Sequence, residues 1–267
     1  MNIHPSALVE DGASLGDDVE IGPFSIVRSG AQINTGCRIG PHVVIYGGTT
    51  LGSRCRIHAG AVLGDTPQDL SFKGVRSFVE IGEECVIREG VTIHRGTKEG
   101  TTTSIGARCY LMANAHVGHN GRLGERVIIA NGSLLAGYVV VEDAAFISGN
   151  CCVHQFCRVG RLAMLGGGAI ISKDCPPYCT LRSNALNRVV GLNVIGLRRA
   201  GLDAAARQQI KEAFQLLYLS GLTTTDALKA LQEKFPAGPA AEFGRFIAGS
   251  TRGICGGPRT RSADDDE

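Results

Sequence analysis

Two histidines three positions apart, His116 and His119, lie in the stretch NAHVGHN (114–120), where the other side chains are small. An imidazole does chemistry at neutral pH in two ways. It ligates a metal, or, with an ordinary pKa of about 6.5, it takes the proton of an alcohol or amine attacking a carbonyl, worth roughly 10²–10⁴ in rate. No acid adjoins the pair, and Cys109 is the only thiol within ten positions. Which histidines can meet depends on the elements that carry them.

Those elements follow a period of six. A step of six residues from Ile3 lands on Val9, Leu15, Ile21, Val27 and Ile33 and continues, through Val75 and Ile81, as far as Ile171. Only Asp69 and Glu99 break the series. Neither the 3.6 period of a helix nor the 2 of a strand gives this pattern; a six-residue aliphatic repeat is a β-solenoid signature. Glycine often follows the aliphatic (Gly16, Gly22, Gly82) and recurs three after it (Gly12, Gly30, Gly90). The position four after is small, as at Ala7, Ala13 and Ala31. Each hexad therefore predicts a short strand and a corner, and three hexads an 18-residue triangular coil. Coils stacked ~4.8 Å apart bury their aliphatics only against one another. Cys37, Cys55, Cys85, Cys109, Cys151, Cys157 and Cys175 occupy the small inward slot, where a free thiol packs as a small hydrophobe, so no metal is expected at them.

The register fails at GDTPQDLSFKGVRS (64–77) and RGTKEGTTTS (95–104), which predict two ordered loop excursions. The array ends near Pro176 and Pro177, giving a β-helix over 1–178. An α-helical domain is expected over 179–254. Its first helix follows Asp203 as N-cap, with Ile210, Ala213, Phe214 and Leu217 on one face, and two more lie in TTTDALKALQEKF and PAAEFGRFIAGS. The tail 255–267 reads as disordered. A net charge of +2 leaves no nucleic-acid footprint, no apolar run suits a transmembrane segment, and the N-terminus lacks a signal peptide's pattern, so a cytoplasmic protein is expected.

The hexads also orient the histidines. His94 and His154 lie one after an inward anchor, His119 two after and His116 five after. None of the seven occupies an inward slot, so none is a core histidine; His4 and His42 read as surface residues. The rest are candidates for a proton or, if three from adjacent coils converge, for zinc.

Taken in order, PQDLSFKG, VTIHRGT (91–97), NAHVGHN, VHQFCRVG (153–160), KDCPPY (173–178), GLNVIGLRRAG (191–201) and STRG (250–253) closely resemble the acyl carrier protein–UDP-N-acetylglucosamine O-acyltransferases, over about residues 1–254. The resemblance implies a left-handed parallel β-helix and a homotrimer with sites between subunits. It implies transfer of a (R)-3-hydroxyacyl group from acyl carrier protein to the sugar 3-hydroxyl, the first step of lipid A synthesis, without cofactor or metal. It assigns His119 as general base and the Gly137 N–H as oxyanion donor. Gln68, Asp69, Lys73, His94, His116, Tyr138, His154 and Gln155 fall at substrate positions, Asn193 and Arg199 on the nucleotide side, and Gly167 where acyl length is limited.

This chain departs from the better-known members. Asn120 stands where they have Asp, an orienter without charge. Tyr138 replaces a histidine, Ser71 a lysine and Ala200 a second arginine. Two alternatives stay open: a related hexapeptide acyltransferase making an amide on an amino sugar, and a zinc enzyme like the γ-class carbonic anhydrases, whose histidine spacing differs.

Overall fold

The computed structural model describes residues 1–183 and 186–258. Strands of two to four residues form three sheets of eleven, nine and eight strands, called A, B and C here. Through the coils each strand pairs in parallel with the third one after it, so one turn of chain visits A, B and C in order. This is the expected left-handed parallel β-helix followed by α-helices. In-register pairing sets Ile21, Ile39, Ile57, Ile87, Leu111 and Ile129 in one interior ladder, each at most 3% exposed. Each such side chain contributes ~1.5–3 kcal/mol by leaving water. Ile3, whose strand pairs on one side only among the described residues, is 38% exposed. The glycine after an anchor has a steric cause: a Cβ on Gly82 would lie 2.6 Å from the amide nitrogen of Ala107, one coil on.

Both excursions leave at the corner between sheets B and C, in successive coils. Ile57 pairs with Ile87, thirty positions on, and Ile87 with Leu111, twenty-four on, so the two loops add twelve and six residues to an 18-residue coil. Because both lengths are multiples of six, the sequence register survives them. One expected anchor is thereby corrected: Val75 lies in the first loop, half-buried, and the next inward residue after Leu63 is Val79 followed by Ile81. The second excursion is also shorter than expected, since Thr102–Ile105 is already a strand of sheet C. The loops pack on each other: Ser77 Oγ donates to Gly96 O at 2.6 Å, and the Arg76 N–H donates to Glu99 at 3.1 Å.

The coil stack does not stop at 178. Cys179–Leu181 extends sheet A in parallel, and Val189–Leu192 adds the sheet's antiparallel strand. Helices begin only at α1 (Val194–Arg199), then α2 (Ala204–Tyr218), α3 (Thr224–Lys234) and α4 (Ala241–Ala248). Asp203 caps α2, accepting from Ala206 N at 2.7 Å, and Ile210, Ala213, Phe214 and Leu217 are its buried face. The disordered tail is corrected for its first four residues. Cys255 is fully buried and donates its N–H to Asp174 O, while Gly256 donates to Asn187 O. Asp174, itself fully buried, accepts from Ser250 Oγ at 2.7 Å and from Arg158 N at 2.8 Å, fastening this segment to the last coils. Residues 259–267 lie outside the described residues. All ten cysteines are free thiols, and the seven of the inward slot are buried. No helix among the described residues is long and apolar enough to cross a membrane.

Candidate active site

Stacked coils bring distant residues into columns. On the outer face of sheet B, Thr92, His116, Leu134, Cys152 and Ile170 follow one another up five coils. At the B–C corner beside them lie His119, Gly137 and Gln155, each two residues after an anchor. A cavity of about 510 Å³ opens on this face. Gln68, His94, His116, His119, His154 and Gln155 form its polar wall. Leu134 and Ile170, 47% and 57% exposed, line an apolar strip beyond it.

The three histidines at the mouth of the loops differ in environment. His94 points away from the coil interior as expected, yet it is only 6% exposed. Burial lowers its pKa. Its Nδ1 has no partner among the described residues. Burial, helped by neighbouring His94 and His119, pushes the His116 imidazole down to about 4. Thr92 Oγ1 lies 2.7 Å from His116 Nδ1, and the His94 and His116 rings meet edge to face at 4.9 Å. Both rings are therefore neutral hydrogen-bonding groups near pH 7.

His119 is held differently. Its Nδ1 lies 3.1 Å from Asn120 Oδ1, and its Nε2 lies 3.8 Å from Asp69 Oδ2. Asp69 in turn accepts from the N–H and hydroxyl of Ser71 at 2.8 and 2.7 Å, which lowers its pKa. The ring rests on Gly137: a Cβ there would lie 2.3 Å from His119 Cε1 and 2.4 Å from Nε2. Adding one C–C bond puts Nε2 within about 4 Å of the Gly137 Cα. Among the described residues no group accepts from the Gly137 N–H.

Asn120 is buried behind His119, its Oδ1 also meeting Thr97 N at 3.0 Å and Thr97 Oγ1 at 2.9 Å. Tyr138 does not line the cavity; its hydroxyl lies 3.0 Å from Thr97 Oγ1, and its ring packs edge-on to His119 and flat on Phe156. Tyr138 and Phe156 both have φ above 60°, a region costly for bulky residues, where the hexads predicted glycine.

The remaining expected residues lie apart. Lys73 is exposed on the first loop and outside the cavity lining. Asn193 caps α1, accepting from Gly196 N at 3.0 Å and donating to Leu162 O at 2.9 Å, and Arg199 ends that helix; neither lines the cavity. Gly167 sits at the A–B corner three coils beyond His119, where the nearest atom to an added Cβ is Gly149 O at 3.7 Å. Three further residues belong to the site although neither spacing nor resemblance singled them out: Thr92, Thr97 and Arg252. Arg252 reaches from the C-terminal segment to donate to Ser172 O at 3.0 Å and lies 3.3 Å from His154 Nδ1. Among the described residues no three His, Cys, Asp or Glu are arranged to hold a metal ion.

Comparison with known proteins gives this arrangement a family. Residues 174–255 match the model of UDP-N-acetylglucosamine O-acyltransferase domain 2, and 12–47 and 30–65 match bacterial transferase hexapeptide repeats. An acyl-[acyl-carrier-protein]–UDP-N-acetylglucosamine O-acyltransferase of Anaeromyxobacter sp. (strain K) is 40% identical over 156 residues, 58% of this chain. The matched segment spans 60% of the length of that relative. Among solved structures, a UDP-N-acetylglucosamine acyltransferase from Bacteroides fragilis is 40% identical, with a TM-score of 0.89 over 94% of this chain and 98% of its own. That from Francisella novicida is 36% identical, with a TM-score of 0.93 over 96% of this chain and 95% of its own. The chain belongs to the UDP-N-acetylglucosamine O-acyltransferase family.

Proposed function

We propose that this protein moves a (R)-3-hydroxyacyl group from the thioester of acyl carrier protein to the 3-hydroxyl of UDP-N-acetylglucosamine, the first step of lipid A biosynthesis. One observation carries the reading: of the three histidines nearest the loops, two are held neutral by burial, while the His119 ring lines the cavity directly over Gly137, with Nε2 beside the position of a Gly137 Cβ. His119 Nε2 takes the proton of the sugar hydroxyl as that oxygen bonds to the thioester carbon. The Gly137 N–H donates to the oxyanion of the tetrahedral intermediate, where a preorganised donor acts most strongly. Collapse breaks the C–S bond, and the imidazolium gives its proton to the departing thiolate, releasing the thiol. Gln68 and Asp69 hold the sugar with His94, His116, His154 and Gln155, and the strip through Leu134, Cys152 and Ile170 takes the acyl chain toward Gly167.

The active unit in this reading is a homotrimer in the cytoplasm, needing no cofactor. Asn193 and Arg199 lie away from the cavity of their own chain, so they reach a nucleotide there only from a neighbouring subunit. The half-buried outward column Tyr110, Ile128, Phe146 and Met164 on sheet A offers an apolar face for such a neighbour. The test is purified protein with a panel of acyl carrier thioesters and either UDP-N-acetylglucosamine or its 3-amino analogue. Ester formation with the 3-hydroxy sugar is expected; amide formation on the amino sugar alone would replace this reading.

A further inference from the structure

We infer that Thr97 and Tyr138 are positioning residues which, through the carboxamide of Asn120, hold His119 in the tautomer that leaves Nε2 unprotonated. The inference rests on His119 being the base of the proposed reaction, and it assigns Tyr138 to the base rather than to the sugar.

The hydrogen-bond directions follow from one obligatory donor. The Thr97 backbone N–H can only donate, so the Asn120 atom 3.0 Å from it is the carbonyl oxygen and not the amino group. That oxygen is an acceptor, so His119 Nδ1, 3.1 Å away, carries the proton. In a neutral imidazole the other nitrogen then keeps its lone pair. Thr97 Oγ1 also lies 2.9 Å from the same oxygen and must donate to it, which leaves the Tyr138 hydroxyl, 3.0 Å from Thr97 Oγ1, as donor to the threonine. The chain therefore runs Tyr138 O–H to Thr97 O–H to Asn120 Oδ1, with His119 Nδ1–H meeting it from the other side. Three donors converge on one carbonyl oxygen, so the amide has neither a free lone pair nor room to flip. A second contact fixes the same residue: the Asn120 N–H donates to Thr103 Oγ1 at 2.7 Å.

Packing supports the same role for the tyrosine. Its ring stands edge-on to His119 at 5.3 Å and stacked on Phe156 at 4.9 Å, so the hydroxyl is aimed at Thr97 by ring contacts on both sides. Asn120 carries no charge. The charged or titratable groups facing His119 are Asp69 on the Nε2 side, Tyr138 against its ring, and His94 and His116 across the cavity mouth. Orientation thus comes from the Nδ1 side and negative charge from the Nε2 side.

The test combines kinetics with a substrate-free spectroscopic readout. Histidine-selective ¹⁵N NMR of the whole protein is expected to show the neutral form of His119 protonated at Nδ1 and not at Nε2. Thr97→Val should lower kcat roughly ten-fold, and Tyr138→Phe roughly two- to ten-fold, as loss of one or two net hydrogen bonds requires. KM for the nucleotide sugar should stay within about two-fold in both. Thr97→Ser restores the hydroxyl and should restore kcat. Asn120→Asp keeps the acceptor and adds a carboxylate beside the ring, which favours the protonated form, so the acid limb of the rate profile should move up by about one pH unit or more. A His119 protonated at Nε2 overturns the inference. So does unchanged kcat in both variants, or raised KM alone, which would make Tyr138 a sugar contact. If the proposed substrates are wrong, no turnover is seen with them while the Nδ1–H signal persists, so the two failures are told apart.

Discussion

Replacing Gly137 by alanine tests the proposed base, His119, and its support together. Gly137 is not in the left-handed backbone region, so alanine adds no backbone strain, and the peptide N–H stays in place. The new Cβ would sit 2.3 Å from His119 Cε1 and 2.4 Å from Nε2. Ordinary contact needs about 3.4 Å or more between such atoms, so the ring must retreat by about 1 Å. That movement strains the 3.1 Å contact to Asn120 and carries Nε2 off the line to the attacking hydroxyl. A misplacement of this size costs on the order of 100-fold, or about 2.7 kcal/mol of transition-state stabilisation. The assay is steady-state transfer from hydroxyacyl carrier protein to UDP-N-acetylglucosamine, with thermal melting as the control for folding. The expected result is a roughly 100-fold lower kcat with little change in KM. Turnover within about three-fold of the parent, in a folded variant, would refute the placement of the working imidazole over Gly137.

Three further outcomes follow from the geometry. Gly167→Met should shift kcat/KM from hydroxymyristoyl toward hydroxydecanoyl thioesters, because each methylene excluded from burial forfeits ~0.8 kcal/mol; an unchanged ratio removes Gly167 as the ruler. Stability should fall as pH drops from about 6.5 to about 4, since the unfolded chain protonates His116 before the folded chain does. The loss from this group reaches at most about 3 kcal/mol, measured by denaturant melts, and His116→Gln should flatten the slope by about one proton. The helices carry Arg198 on α1, Arg207 and Lys211 on α2 and Arg245 on α4; if these cations steer an acidic carrier protein, transfer should weaken with salt, and kcat/KM that is flat from low to high ionic strength would dismiss them.

The coil stack was legible because each side of every coil needs one buried aliphatic, and nothing local competes with that demand. Helix α2 was legible for a similar reason: Asp203 caps it, and four apolar residues recur at helical spacing. Helix α1 was not, being six residues long with Gly196 inside it; only its cap, Asn193, signals it. The order of residues 255–258 depends on Asp174, some eighty positions earlier, which no composition reveals. In the site, the outward direction of His94 was readable but its burial was not, because it pairs with Asp65 at a break in the strand register, where the hexad rule gives no placement. Thr97 was missed because its partners, Asn120 and Tyr138, lie 23 and 41 positions away. Their meeting requires the exact coil count, including six added residues, before any side chain can be placed.

The central claim is that His119 is the general base, and the most direct measurement is turnover of His119→Ala beside His116→Ala. Both should be assayed as folded protein with hydroxyacyl carrier protein and UDP-N-acetylglucosamine, with and without chelator. His119→Ala is expected to lose at least ~100-fold in kcat, His116→Ala to lose less and mainly in substrate binding, and chelator to change neither. Near-parental turnover in His119→Ala, or equal and chelator-sensitive losses in the two variants, would contradict it.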